Sequence, residues 1–160
     1  MITLTGSVRA LRSLLEAPLS GQLCVAFYSA STVTGGSNDL HPDKIVMRQM
    51  TPFDLVTAEG VVRIDGTSAD LAHPTRPNVP RDLARETAFL VAHGFNAELV
   101  STSHFQEAVV IEGDTVRVQG LAVVERAPPN DAQGYRENER SIRLVAYGAH
   151  PLTIGPASPA

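Results

Sequence analysis

The chain has no tryptophan, one cysteine and one lysine among its 160 residues. Each shortage excludes something. A single cysteine, Cys24, forms no internal disulfide and builds no zinc site by itself, so the sequence implies no oxidising compartment. Its place between Leu23 and Val25 points to an inert core thiol, because no adjacent base or cation favours the thiolate. Aromatic residues amount to 5%, which leaves few of the side chains that dominate interface hot spots and base-stacking platforms. The net charge of −4 repels phosphate backbones and anionic lipid, so either partner would need a local basic patch. Arg126, Arg136, Arg140 and Arg143 cluster along the chain, but Glu125, Glu137 and Glu139 interleave with them, and the stretch reads as a solvated mixed-charge loop. No segment approaches the ~20 apolar residues of a membrane span, and Arg9 and Arg12 fall where a signal peptide needs its apolar core. Nucleic-acid binding and membrane insertion are both disfavoured. The Ala- and Val-rich, almost lysine-free composition leans toward a GC-rich bacterial source. The expected compartment is therefore a bacterial cytoplasm, with any membrane association coming through a partner or through segments beyond this chain.

What is present suits one folded domain over residues 1–155 with a frayed tail at 156–160: hydrophobic residues reach 43% and charged residues 19%. Residues 2–10 alternate with period two, Ile2, Leu4, Gly6, Val8 and Ala10 against Thr3, Thr5, Ser7 and Arg9, as a strand with one wet face does. After a turn at Pro18 to Gly21, residues 22–33 read as a strand covered on both faces. A loop is expected from Thr34 to Lys44, where Gly, Ser, Asn, Asp and Pro gather. Strands resume at Ile45, and Phe53 to Thr57 with Val61 to Asp65 make a hairpin whose Val62 and Ile64 point inward. Near Pro80 the period changes: Leu83, Thr87 and Leu90 with Ala84, Ala88 and Val91 form an apolar helical stripe, and Gly94 stops it. Strands return at Phe105 to Ile111 and Thr115 to Glu125, the latter with a bulge or bend expected at Gly120, and again at Ser141 to Tyr147 and Pro151 to Ile154. The expected fold is mainly β (α+β): a small closed or half-closed antiparallel β-barrel, like the oligonucleotide/oligosaccharide-binding (OB) type, with one α-helix inserted at about residues 80–93.

Three blocks carry a resemblance: Ala17, Pro18, Leu19, Ser20, Gly21, Cys24 and Val25; then Pro52, Phe53, Leu55, Gly60, Val62, Ile64 and Asp65; then Phe105, Gln106, Glu107, Gly113, Asp114, Val116, Val118 and Gly120. In this order they are similar to the domain of GIDE/MULAN-type mitochondrial E3 ubiquitin ligases and their bacterial relatives, the beside-a-membrane domain. The resemblance covers most of residues 3–125. It implies a recognition or scaffold module, since in the ligases this domain is similar to a substrate-binding element. Ligase activity does not carry over, because a RING holds two zinc ions with eight Cys and His ligands and this chain has one Cys and five His.

Catalytic signatures are sparse. No zinc-protease helix and no phosphate-binding Gly-rich loop ending in Lys occurs. Gly35 to Asp39 lacks the second flanking glycine of a nucleophile elbow, and His104 beside Ser101 and Ser103 has no acid partner at hand. His41 with Asp43, and His73 with Asp70, would make a metal site only if their two loops met over one barrel end. No cofactor is expected. The candidate partner-binding residues are Tyr28, Arg48 and Phe53 on the central strands and Tyr135 and Arg136 in the late loop, with core packing the competing reading for Tyr28 and Phe53. The leading expectation is a non-enzymatic module binding a protein or peptide, in part through edge-strand pairing. Two rivals stand beside it: a single-stranded nucleic-acid binder, and a metal-dependent hydrolase built on the loop histidines.

Overall fold

The structure, a computed structural model, describes residues 1–11, 13–34, 42–72, 76–77, 81–126 and 140–157. Thirteen extended segments and one α-helix follow one another along these residues: β1 (Ile2–Ala10), β2 (Leu15–Glu16), β3 (Leu23–Cys24), β4 (Ala26–Val33), β5 (Asp43–Met50), β6 (Phe53–Thr57), β7 (Gly60–Ile64), β8 (Ala69–Leu71), β9 (Arg76–Pro77), α1 (Leu83–Ala92), β10 (His104–Val110), β11 (Thr115–Arg126), β12 (Arg140–Val145) and β13 (Leu152–Pro156). A short 3-10 helix, Ala97–Ser101, links α1 to β10.

Five strands close a barrel in the order β1-β6-β7-β12-β11, and β11 returns to β1. This is the expected mainly-β barrel with a single short α-helix, and the sheet is mixed rather than wholly antiparallel. The seam between β7 and β12 is parallel, with Arg63 opposite Arg143 and Ile64 opposite Leu144. β8 and β13 also pair in parallel. Parallel neighbours need a long crossover between them, and here most of the chain from β8 to β11 supplies it. The period-two patterns put Val8, Phe53, Leu55, Val62, Ile64, Val116, Val118 and Leu144 inside, in one core with Leu152 and Ile154 of β13.

Gly120 holds the place where β11 changes partner along one edge, from β13 up to Gln119 to β12 from Leu121 onward. Alternation runs through this position: Val116, Val118 and Gly120 are buried, and Ala122 continues on the same face against the core. The glycine is needed for space. A Cβ there would lie 2.5 Å from Leu152 Cδ2 and 3.1 Å from the Val145 carbonyl oxygen.

A second sheet, β5-β4-β10-β9, continues from the barrel and carries the helix. Asp82 caps α1 by accepting the Arg85 backbone N–H, and Gly94, at φ +85°, ends it while Gly94 N–H and Phe95 N–H donate back to Val91 and Leu90 carbonyls. The buried face is Glu86, Phe89 and Leu90, spaced three and four apart, packed on Leu19, Val33, Ile45 and Phe105. This corrects the expected stripe: Leu83 and Val91 are 57% and 54% exposed. The rotation buries the larger Phe89, and Arg81 offsets the cost of burying Glu86 by donating to its Oε2 from Nε at 2.9 Å and an Nη at 2.6 Å. Glu86 in turn raises the Arg81 pKa through that contact.

Candidate functional site

β5 is an outer strand of the second sheet, and its backbone is what distinguishes it. Within a strand the N–H and C=O groups of successive residues point alternately to the two sides. Met50 turns its N–H away from β4 and donates it to the Thr67 carbonyl oxygen at 2.9 Å. Lys44, Val46 and Arg48 share that parity, so their backbone groups face the same outer side. Among the described residues no other strand pairs there. Residues Val46 and Met47 add exposed apolar surface, 45% and 36%. Such an edge is a ready template for another extended segment.

The side chains beside this edge include two of the sequence candidates. Tyr28 on β4 lies directly opposite Arg48, half-buried, with Ala108 of β10 on its other side. Arg48 is paired with Asp70 of β8. Phe53 is a correction: it is fully buried in the barrel core and out of reach of a partner, because its inward parity on β6 outweighs its aromatic character. Asp43 opens β5 opposite Val33, exposed and inside what the sequence suggested was a loop. Of the metal candidates, Asp70 is engaged by Arg48, which competes with any cation for its oxygens. His41, His73, Tyr135 and Arg136 lie outside the described residues. Among the described residues no three His, Cys, Asp or Glu side chains converge on one point.

The barrel's outer wall bears a second charged feature. Arg9, Asp54 and Arg63 are consecutive cross-strand partners on β1, β6 and β7. Arg9 donates to Asp54 Oδ2 and Arg63 to Oδ1, both at 2.8 Å. Burial works against the Asp54 carboxylate, yet these bonds and the two positive charges outweigh it and hold its pKa below the usual value. Arg143, beside Arg63 in the parallel register, pairs with Asp65 at 2.9 Å. An open cleft of about 560 Å³, lined by Leu11, Ser13, Thr51, Pro52 and Arg63, adjoins the row.

Glu107 has a structural role that the sequence did not reveal. Its carboxyl accepts the Leu19 N–H at 3.0 Å, the Ser20 N–H at 3.0 Å and the Ser29 hydroxyl at 2.7 Å. It therefore fastens the Ala17 to Gly21 turn onto the second sheet. Arg85 closes the other side: it bonds Glu16 at 2.7 Å, and its guanidinium sits where a Cβ on Gly21 would be. Cys24 lies beneath this turn, fully buried. Burial, and then the nearby Glu107 charge, push its thiol up to about 11, which keeps it protonated and poor as a nucleophile at neutral pH.

Among the described residues no helix is long and apolar enough to cross a membrane. Searches against protein-family models, curated proteins and solved structures find no match to this chain.

Proposed function

We propose that the protein is a non-catalytic recognition module that binds a protein partner by accepting an extended segment of it along β5. The observation that carries this reading is the row of backbone groups on Lys44, Val46 and Arg48, directed away from β4 on an eight-residue strand. Main-chain hydrogen bonds would give affinity, and the side chains on either face would give selectivity. The polar groups best suited to chemistry are otherwise employed: Glu107 holds a turn, Asp54 holds two arginines, and Cys24 stays protonated. The resemblance to the GIDE-type domain, a substrate-binding element in its ligases, supports the same reading.

The test is selection of peptides from a random library followed by residue-resolved hydrogen exchange on the complex. Bound peptides are expected to slow exchange at the Lys44, Val46 and Arg48 amides, and Val46→Pro is expected to abolish binding. Peptides that bind while those amides exchange as before would refute it. A second reading, single-stranded nucleic acid across β6 and β7, draws on the Arg9, Arg63 and Arg143 row, because barrels of this type bind over that face. It lacks a stacking platform there, since the outward residues of β6 and β7 are Asp54, Val56, Val61 and Arg63. Mixed oligonucleotides that fail to bind at low salt would dismiss it.

A further inference from the structure

We infer that the segment accepted by β5 is acidic, with an acid, an apolar residue and an acid at alternate positions, and that a second copy of this chain is not its occupant. The inference rests on the edge-strand reading and adds the chemistry of the partner. Residues directly opposite one another across a β-ladder project to the same face. The outward-bonding residues of β5 are Lys44, Val46 and Arg48, so three partner residues spaced two apart would meet a cation, an exposed valine and a second cation. On β4, behind these three, stand Thr32, Ala30 and Tyr28, which supply no negative charge. Asp43, at the start of β5, has the opposite parity and projects to the other face, whereas Asp70 already pairs with Arg48 and shows how a carboxylate approaches this one.

Self-pairing meets a charge conflict. The antiparallel register that uses all three outward residues sets Val46 against Val46 of the second copy and puts Lys44 opposite Arg48 on both sides. Like charges directly opposite one another disfavour that ladder, and a lysine on an exposed edge is a common guard against it. An acidic strand in the same place turns both conflicts into attraction.

Two fluorescein-labelled heptapeptides test the inference: Thr-Glu-Thr-Val-Thr-Glu-Thr and its counterpart with both glutamates replaced by lysine. Their dissociation constants would be measured by anisotropy, with amide exchange at β5 as the check on location. The acidic peptide is expected to bind roughly tenfold more tightly, from about two- to fivefold for each charge pair, and added salt is expected to erase the difference. Asp70→Asn removes the competitor for Arg48 and is expected to tighten the acidic peptide about two- to fivefold. Lys44→Glu combined with Arg48→Glu is expected to reverse the preference. Val46→Pro leaves the ladder to β4 intact, because this N–H faces outward, and circular dichroism would verify its fold. Equal binding of both peptides, lost in Val46→Pro, would overturn the acidic chemistry and leave the edge-strand reading standing. Binding of neither peptide, or binding that Val46→Pro does not affect, would overturn both. A solution dimer abolished by Val46→Pro would identify the second copy as occupant and overturn the inference.

Discussion

Removing the Glu107 side chain tests whether one carboxyl organises the turn, the second sheet and the cysteine together. Glu107→Ala strands the Leu19 and Ser20 N–H groups and the Ser29 hydroxyl, all buried or partly buried. A buried donor left without a partner costs about 1–3 kcal/mol, and water reaches the partly buried Ser20 amide most easily. The expected loss is therefore about 3–5 kcal/mol, less than the simple sum because the turn can relax. Glu107→Gln keeps an acceptor for Leu19 and Ser29 but turns an amide NH2 toward the Ser20 N–H, so roughly 1–2 kcal/mol is expected. Urea unfolding reads these values as a lower midpoint at constant slope. Two further readouts separate this account from generic core damage. Amide exchange at Leu19 and Ser20 should accelerate in both variants. The Cys24 thiol, raised partly by the Glu107 charge, should titrate lower in Glu107→Gln while burial keeps it above the ordinary thiol value of 9.0. A loss under about 1 kcal/mol in Glu107→Ala, or unchanged exchange at the two turn amides, would refute the reasoning.

Three other outcomes are expected from the same structure. Gly6→Ala would place a Cβ 2.4 Å from the Val56 carbonyl oxygen, a backbone atom, whereas at Gly120 the nearest atom is the end of the Leu152 side chain. Both substitutions should destabilise by about 1–3 kcal/mol or more, with Gly6→Ala the worse of the two in thermal unfolding. Asp54 has a depressed pKa in the folded state, so its contribution is present above its unfolded value and fades as pH falls through the folded one. Asp54→Asn should flatten the acid limb of the stability curve, with roughly 1 kcal/mol at stake because both arginine partners are about half exposed. Cys24 has a raised pKa, so its contribution is intact below pH 9.0 and is lost as pH rises toward about 11. That shift corresponds to about 3 kcal/mol, and Cys24→Ala should lose less stability than the native protein over this window in alkaline urea titrations.

Much of the fold was legible because its local signals agree. Alternation marked β1, the Ala58 to Gly60 link marked the β6–β7 hairpin, and Gly113 took the positive φ that the turn before β11 requires. The helix stop at Gly94 was equally plain. What escaped were features decided by distant partners. The parallel seam between β7 and β12 depends on a crossover whose direction no local pattern encodes. The helix face is hidden from a count of apolar residues, which favours Leu83 and Val91, whereas the burial of Phe89 beside a Glu86 matched to Arg81 decides the rotation. A signal was available there: a carboxylate three residues before a Phe-Leu pair, with an arginine five residues ahead of it.

The blocks that carried the family resemblance turn out to be built from contacts with one another. Phe53, Leu55, Val62 and Ile64 of the second block share the barrel core with Val116 and Val118 of the third. The first block meets the third where Leu19 and Ser20 donate to Glu107. Residues of this kind specify a turn, a hairpin and a core. Lys44, Val46 and Arg48 belong to none of the blocks. Tyr28 and Arg48 were visible as candidates from their types, but their meaning depends on β5 being the strand left at the outside of its sheet, a property of topology. Charge reversal at residues 44 and 48, which lie on that outer strand and away from the barrel core, should therefore change partner preference without altering the cooperative unfolding of the barrel.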